Sequence, residues 1–428
     1  MVIAVSNFVQ TASLLASWSG VDSLGVAEYP GAILSESDEE IKHKVMDFLF
    51  NSIIEHLTKP IKVSEKPVVD FNPEEIIFRG TLEEVNRVFQ KKGWTDGLPI
   101  IPPSPEKVEA YLQYTSRSSH EKITSLPQTN LWATPYNIAV NAIMAGCRPE
   151  FMPLLIAAVK AAGDPEFQLM NLGSTSCKTP WLLVNGPIIK ELGIEFGIGT
   201  RSKGPNPTIG RAFHLILHNI AGFKPGETWM GSWGYYAPFV LAEDEEGCDE
   251  VGWEPYHVEH GFDRNRSTVT VRTTAYWGSP GYPPDKTDPE ITLQVACGHQ
   301  RLMIVPHISL MYGSRNMNAF LITRPTAKVI ANGGYSKKGV GEYLWNNTRI
   351  SGREANWSLK QSGFGSSLHK LVRDGILPEW FDVGQEEKIP LLLSANLIDV
   401  VICGDVNRDK FMSLWCNYNR PVTREITY

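Results

Sequence analysis

Residues 181–217 read WLLVNGPIIKELGIEFGIGTRSKGPNPTIGRAFHLIL. The apolar run Trp181-Leu182-Leu183-Val184 stops at Asn185-Gly186-Pro187, the pattern of a buried strand ending in a turn. A Gly/Pro/Asn-rich loop carrying Arg201 and Lys203 follows, and an amphipathic helix begins at about Thr208 with Arg211 in its first turn. Unpaired N–H groups at a helix start, the helix dipole and nearby cations together attract an anion, so this stretch is the expected place for a phosphate or carboxylate. The alternative is a long surface loop with a few solvated charges. The spacing fits neither G-x-x-x-x-G-K-[ST] nor G-x-G-x-x-G, so it names no nucleotide.

Working outward, strands and helices alternate. Asn137 to Ala145 and Pro149 to Ala162 read as two apolar helices divided by Gly146-Cys147-Arg148. Ser267 to Thr274 alternates like a strand with one exposed face. Ala319 to Thr323 and Leu397 to Cys403 read as core strands, with helices over Pro325 to Ala331 and Ser336 to Asn346 between them. Pro73 to Lys92 is expected to be helical, and Thr58 to Asn72 to be a linker. Upstream, Val2 to Val5 and Asp22 to Ala27 are strand candidates. A helix through Trp18 separates them, and a strong amphipathic helix over Ser37 to Leu57 follows. The expected fold is α/β: a mixed or mainly parallel sheet flanked by helices, preceded by a small partial α/β segment. The boundaries fall at residues 1–62 and 73–428, with the larger unit open to division into two subdomains. No internal repeat of 20–50 residues is evident.

Composition narrows the function. The chain has 428 residues, 42% of them hydrophobic and 20% charged, which suits a folded protein with a sizeable core. A net charge of -7 argues against a nucleic-acid partner. No run of about 18 apolar residues exists, so no membrane span is expected. The apolar N-terminus lacks a basic n-region and a clear cleavage site, which points to a cytoplasmic protein. Six cysteines at 147, 177, 248, 297, 403 and 416 form no C-x-x-C pair and read as reduced thiols.

Several phrases are more specific. Trp94-Thr95-Asp96-Gly97-Leu98-Pro99, Met144-Ala145-Gly146-Cys147-Arg148-Pro149, Asn185-Gly186-Pro187-Ile188, Thr208-Ile209-Gly210-Arg211-Ala212 and Trp253-Glu254-Pro255-Tyr256-His257-Val258-Glu259 occur in that order. From about residue 75 to the end the chain resembles the large module of the UGSC (seleno)protein family, named for a Sec/Cys-Gly-Ser-Cys motif in its other, smaller module. Residues 1 to 60 resemble the C-terminal half of that smaller module, without the half that carries the motif. The resemblance implies a remnant of the smaller module followed by the large one. It marks Asp96, Cys147, Arg148, Glu150, Asn185, Arg211, Glu254, His257 and Glu259 as pocket residues. It also implies a possible partner subunit that supplies a Cys-Gly-Ser-Cys motif, and it makes a homodimer plausible. Two departures stand out: Thr175-Ser176-Cys177 where relatives show Thr-Thr-His or Gly-Gly, and Pro325-Thr326-Ala327 where they read Pro-Glu-His-Ala.

The residues themselves suggest chemistry. Cys147, at a helix N-terminus before Arg148, would have a lowered pKa and act as a nucleophilic or redox thiol; the alternative is a small core residue. Cys177 could face it as a second thiol. On an extended chain His257 and Glu259 would share one face and move protons. Adding His299 or His307 would allow a divalent metal, which no spaced motif favours, and no cofactor is named. His214 and His218 read as a satisfied core pair. The acidic run Glu243 to Glu246 reads as a solvated turn. Trp229, Trp233, Tyr235, Tyr236 and Trp253 would wall a ligand pocket or belong to the core. The leading expectation is a small-molecule enzyme, a thiol-assisted oxidoreductase or lyase acting on a carboxylate- or phosphate-bearing metabolite. Cys147, Cys177, His257 and Glu259 would be catalytic; Asp96, Arg148, Asn185, Arg201, Lys203, Arg211 and Glu254 would bind the small anionic substrate. The rivals are a non-catalytic partner of a thiol/selenol redox protein and a metal-dependent hydrolase or lyase.

Overall fold

A computed structural model describes residues 1–58, 72, 74–234, 237–313, 317–362, 365–416 and 419–428. The fold is α/β with small mixed sheets flanked by helices. At the N-terminus, β1 (Val2–Val5) and β2 (Val26–Tyr29) pair in parallel around the helix Val9–Trp18. A second helical stretch starts at Asp38, where Ser37 and Glu40 form a reciprocal capping box, and runs to Thr58 through a π turn at Val45–Leu49. The linker expected over Thr58 to Asn72 lies, apart from its two ends, outside the described residues. A short hairpin follows, β3 (Thr124–Leu126) with β4 (Leu131–Ala133).

The body is built on β5 (Thr179–Asn185), β6 (Phe239–Ala242), β7 (Thr268–Thr274), β8 (Tyr276–Trp277), β9 (Met317–Ile322), β12 (Ile398–Ile402), β13 (Phe411–Cys416) and β14 (Val422–Glu425). Between β9 and β12, β10 (Arg349–Ser351) and β11 (Lys388–Pro390) pair as a small antiparallel ribbon. One four-stranded sheet has the order β14-β7-β5-β6, the other β12-β9-β13-β8.

Strand alternation settles how the sheets stack. Leu182, Val184, Val240, Val269 and Val271 join the core under the helices Pro135–Ala145, Met152–Ala162 and Asn206–Asn219. Phe320, Ile322, Val400, Ile402 and Trp415 join a separate core under the helices Pro289–Met303 and Lys337–Asn347. The intervening positions Trp181, Leu183, Phe239, Leu241, Ala319, Leu321, Val401 and Leu414 form a third cluster. The two sheets therefore pack face to face, with helices outside both. This explains a departure from expectation. β7, with its alternating threonines and valines, is buried on both faces, because its polar side meets the second sheet rather than water.

The two sheets are copies of one plan. In each, a central strand has a parallel neighbour on one side (β5 with β6, β9 with β12) and an antiparallel one on the other (β7, β13). The register repeats as well: Val184 faces Ala242 as Ile322 faces Ile402. The next N–H group then closes the ladder identically, Glu243 to Val184 O at 3.1 Å and Cys403 to Ile322 O at 2.9 Å. The last strand of each half is exchanged: β8 completes the second sheet and β14 the first.

Among other differences, the helix expected from Pro73 begins only at Leu82, where Thr81 and Glu84 form a second capping box; Pro73 itself is outside the described residues. No helix of the described residues is long and apolar enough to cross a membrane.

Candidate functional site

In open α/β sheets, ligand sites lie beyond the carboxyl ends of the parallel strands. Here β5 ends in Asn185 and β6 runs straight into Glu243, and both side chains are fully buried. Glu243 is the hub. Its Oε1 accepts from Lys337 Nζ at 2.8 Å; its Oε2 accepts from Asn185 Nδ2 and from the Tyr256 N–H, each at 2.6 Å. Lys337, equally buried at the start of its helix, also lies 3.4 Å from Glu259 Oε2. Glu245 accepts from the Gly186 N–H at 2.6 Å and from Asn185 Nδ2 at 3.2 Å. His257 Nδ1 stands 3.6 Å from Glu245, close enough for Coulomb attraction but too long for a hydrogen bond. That nitrogen and Asn185 Oδ1 are buried without a hydrogen-bond partner.

A second group adjoins the first. Arg272 donates to Asp399 Oδ2 at 2.6 Å and to Tyr256 Oη at 3.2 Å, with its guanidinium over the rings of Trp181 and Tyr256. His260 stacks on Tyr256 and sits 3.7 Å from Asp399 Oδ1.

Burial shapes the protonation states. It drives the Glu259 carboxyl up to about 6, with the Lys337 charge opposing and the Glu243 charge assisting. Burial likewise raises Glu245, against the pull of the Gly186 N–H and His257. For Lys337 burial favours the neutral amine, but the charges of Glu243 and its other neighbours, Glu259 among them, together with the hydrogen bond to Glu243, outweigh it and the pKa rises. The site thus holds a fixed ammonium between a fully buried carboxylate and one whose proton is exchangeable near neutrality. Glu259 is 34% exposed and marks the side from which solvent reaches the cluster.

The sequence-derived residues are distributed unevenly. Asn185, His257 and Glu259 meet here. His257 and Glu259 do not share a face, however: residues 256–259 form a helical turn, which aims His257 at Glu245 and Glu259 at Lys337. Glu254 points outward to Arg264 at 2.8 Å. Arg211 is committed elsewhere, gripping Asp96 through two hydrogen bonds of 2.8 and 2.9 Å and Pro99 O through a third. Lys203 pairs with Glu195 at 3.3 Å, and Arg201 lies over the Phe239 ring. The cations expected to converge on one anion therefore disperse.

The lowered pKa expected for Cys147 is reversed. Burial pushes its thiol up to about 12, and it donates to Thr208 O inside the core. Arg148 donates to Leu192 O and covers the Phe151 ring rather than the thiol. Cys177 is half-buried and free. His299 bonds Ser279 O and His307 bonds Ser358, so neither joins His257, and no cluster of three metal-donor side chains occurs among the described residues. His214, held down to about 4 by burial, and His218, bonded to Gly93 O, are both buried. Of the aromatic stretch, Trp229 and Trp253 are buried, Trp233 is exposed, and Tyr235 and Tyr236 fall outside the described residues.

Sequence reasoning missed Glu243, Glu245, Lys337, Arg272 and Asp399. The one available signal was the position of Glu243, directly after the apolar run Phe239-Val240-Leu241-Ala242. Compared with protein-family models, with curated proteins and with solved structures, the chain matched none.

Proposed function

We propose that the chain is an enzyme that moves protons on a small carboxylate- or phosphate-bearing metabolite, a lyase or a related proton-transfer catalyst, at the ends of β5 and β6. The observation that carries this reading is the meeting of Lys337 with Glu259, a buried cation beside a carboxyl titrating at about 6. A general base works best when its pKa lies near the working pH. In this reading Glu259 takes a proton from the substrate carbon next to a carboxylate, and the electron pair moves into that carboxylate to give an enediolate, whose growing charge Lys337 offsets. His257, with its unpartnered Nδ1 beside Glu245, and the free Asn185 Oδ1 are the polar atoms that await a ligand. Thiol chemistry has no support at Cys147, which is protonated and sealed in the core.

The test is solvent exchange. Incubated with a metabolite extract in D2O, the wild-type chain is expected to add one mass unit to a particular anionic metabolite, and Glu259→Gln to add none. No exchange by the wild type, or equal exchange by the variant, refutes the assignment.

A second reading, a partner subunit, is favoured by one feature. Met46, Phe50, Ile54 and Leu57 form an exposed apolar stripe at helical spacing on the N-terminal unit. A chain that exchanges deuterium alone, without any added subunit, argues against it.

A further inference from the structure

The duplicated plan places a second set of strand ends, those of β9 and β12, opposite the first. There Thr323 and Cys403 occupy the register positions of Asn185 and Glu243. The charged hub is absent from this copy, and a cavity of about 250 Å³ stands in its place. Leu241, Leu321, Phe411 and Met412 supply apolar walls, and the charged lining is Arg201, Lys410 and Asp405, the last paired with Arg408 at 3.2 Å. The walls are fixed. The Gly404 N–H donates to Phe196 O at 2.6 Å, which pins the glycine-rich loop of the first half over the strand ends of the second. The Thr323 hydroxyl donates to Arg408 O at 2.6 Å and holds the loop that leads to Lys410. The Lys410 ammonium rests 4.5 Å from the centre of the Tyr282 ring, with no carboxylate at ion-pair distance among the described residues.

We propose that this cavity is a ligand site, separate from the Glu243 cluster, for a compact apolar monocarboxylate. The volume lies just below the usual range for ligand pockets, about 300–1,000 Å³, so the ligand is small. The apolar walls select its body by burial, and an ammonium that lacks a protein carboxylate selects an acid group. Arg201, 5.9 Å from the centre of the Phe239 ring, also lines the cavity. The inference does not depend on the proton-transfer reading, since it uses none of the same side chains.

Calorimetric titration of the full chain with phenylacetate and indole-3-acetate provides the test, with phenylacetamide as the uncharged probe. At least one of the two acids is expected to bind saturably and the amide roughly tenfold more weakly. Lys410→Met should weaken the acid about tenfold, and Met412→Trp, which fills the cavity, should abolish binding. Arg201→Gln, an exposed change that leaves the walls intact, should weaken it as well and guards against misfolding of the tryptophan variant. Glu259→Gln should bind as the wild type does. Failure of both acids to bind, equal affinity for acid and amide, or binding that survives Met412→Trp overturns the proposal.

Discussion

Glu243 is tolerated in a dry interior because Lys337, Asn185 and the Tyr256 N–H all point at its two oxygens. Removing one partner of such a pair strands the other charge. Lys337→Met is therefore expected to destabilise the fold by about 3–5 kcal/mol at pH 8, and the double variant with Glu243→Gln to recover most of the loss. Urea unfolding of the two variants measures both. Glu259 gives a pH signature of definite sign. Its folded pKa, about 6, exceeds the unfolded value of roughly 4.3, so the stability it confers is complete below that lower value and is lost as pH rises through about 6. Between pH 4 and pH 7 the wild type should lose about 1 kcal/mol relative to Glu259→Gln, less than the full shift implies because the carboxyl is partly solvated. Thermal melts of both chains across that range provide the check. Of the cluster's residues, His257 and Glu259 were legible in the sequence as a nearby acid–base pair. Glu243 was not, because a run of four acids ordinarily marks water, and only the stacking of a second sheet and the arrival of Lys337, 94 positions later, turn it inward.

Elements announce themselves better than sites. Ser37 with Glu40 and Thr81 with Glu84 cap their helices reciprocally; the first start was read within a residue or so, whereas the second was placed too early, at Pro73. Gly146 takes φ +83° at the end of the helix Pro135–Ala145, as the break before Cys147 requires. The exposure of β7 was misread because period-two alternation gives the two faces but not what covers them; Arg272 looks like a solvent-facing residue until Asp399 arrives from the other sheet. Arg211 teaches the same lesson for helices. A cation in a first turn suggests an anionic ligand, yet the anion here is Asp96 of the same chain, and the pair clamps the 94–101 segment to the helix Asn206–Asn219. Arg211→Met should cost about 2–3 kcal/mol and loosen the segment, seen as faster amide exchange from Trp94 to Ile101. Burial raises the Asp96 carboxyl, but Arg211 outweighs it and holds the pKa below the usual range. The clamp's contribution is thus present at neutral pH and fades as acid protonates Asp96. Unchanged exchange in the variant would remove the clamp from the account.

At the scale of the whole chain, the feature hidden from the sequence is the duplication. Its two copies share topology and register, but Asn185 and Glu243 have become Thr323 and Cys403, and different helices follow each strand, so no phrase repeats. The exchange of end strands has a thermodynamic consequence. β14 supplies hydrogen bonds to β7, and Val422 and Ile426 are buried in the core of the first half, while β8 closes the second sheet against β13. Neither half contains all the strands of its own sheet, and each exposes the face of the other when taken away. Cutting the chain in the exposed loop after Lys286 should therefore yield fragments 1–286 and 287–428 that do not fold separately but assemble when co-expressed. The intact chain should unfold through one transition over this region, because loss of the cluster of Trp181, Leu241, Leu321 and Val401 bares both sheets at once. Calorimetry that resolves two independent transitions, or a fragment that folds alone with native amide protection, would show that the exchanged strands do not couple the halves. A single transition restored only on mixing the fragments would establish that the site at the ends of β5 and β6 exists only while β9 and β12 are packed against it.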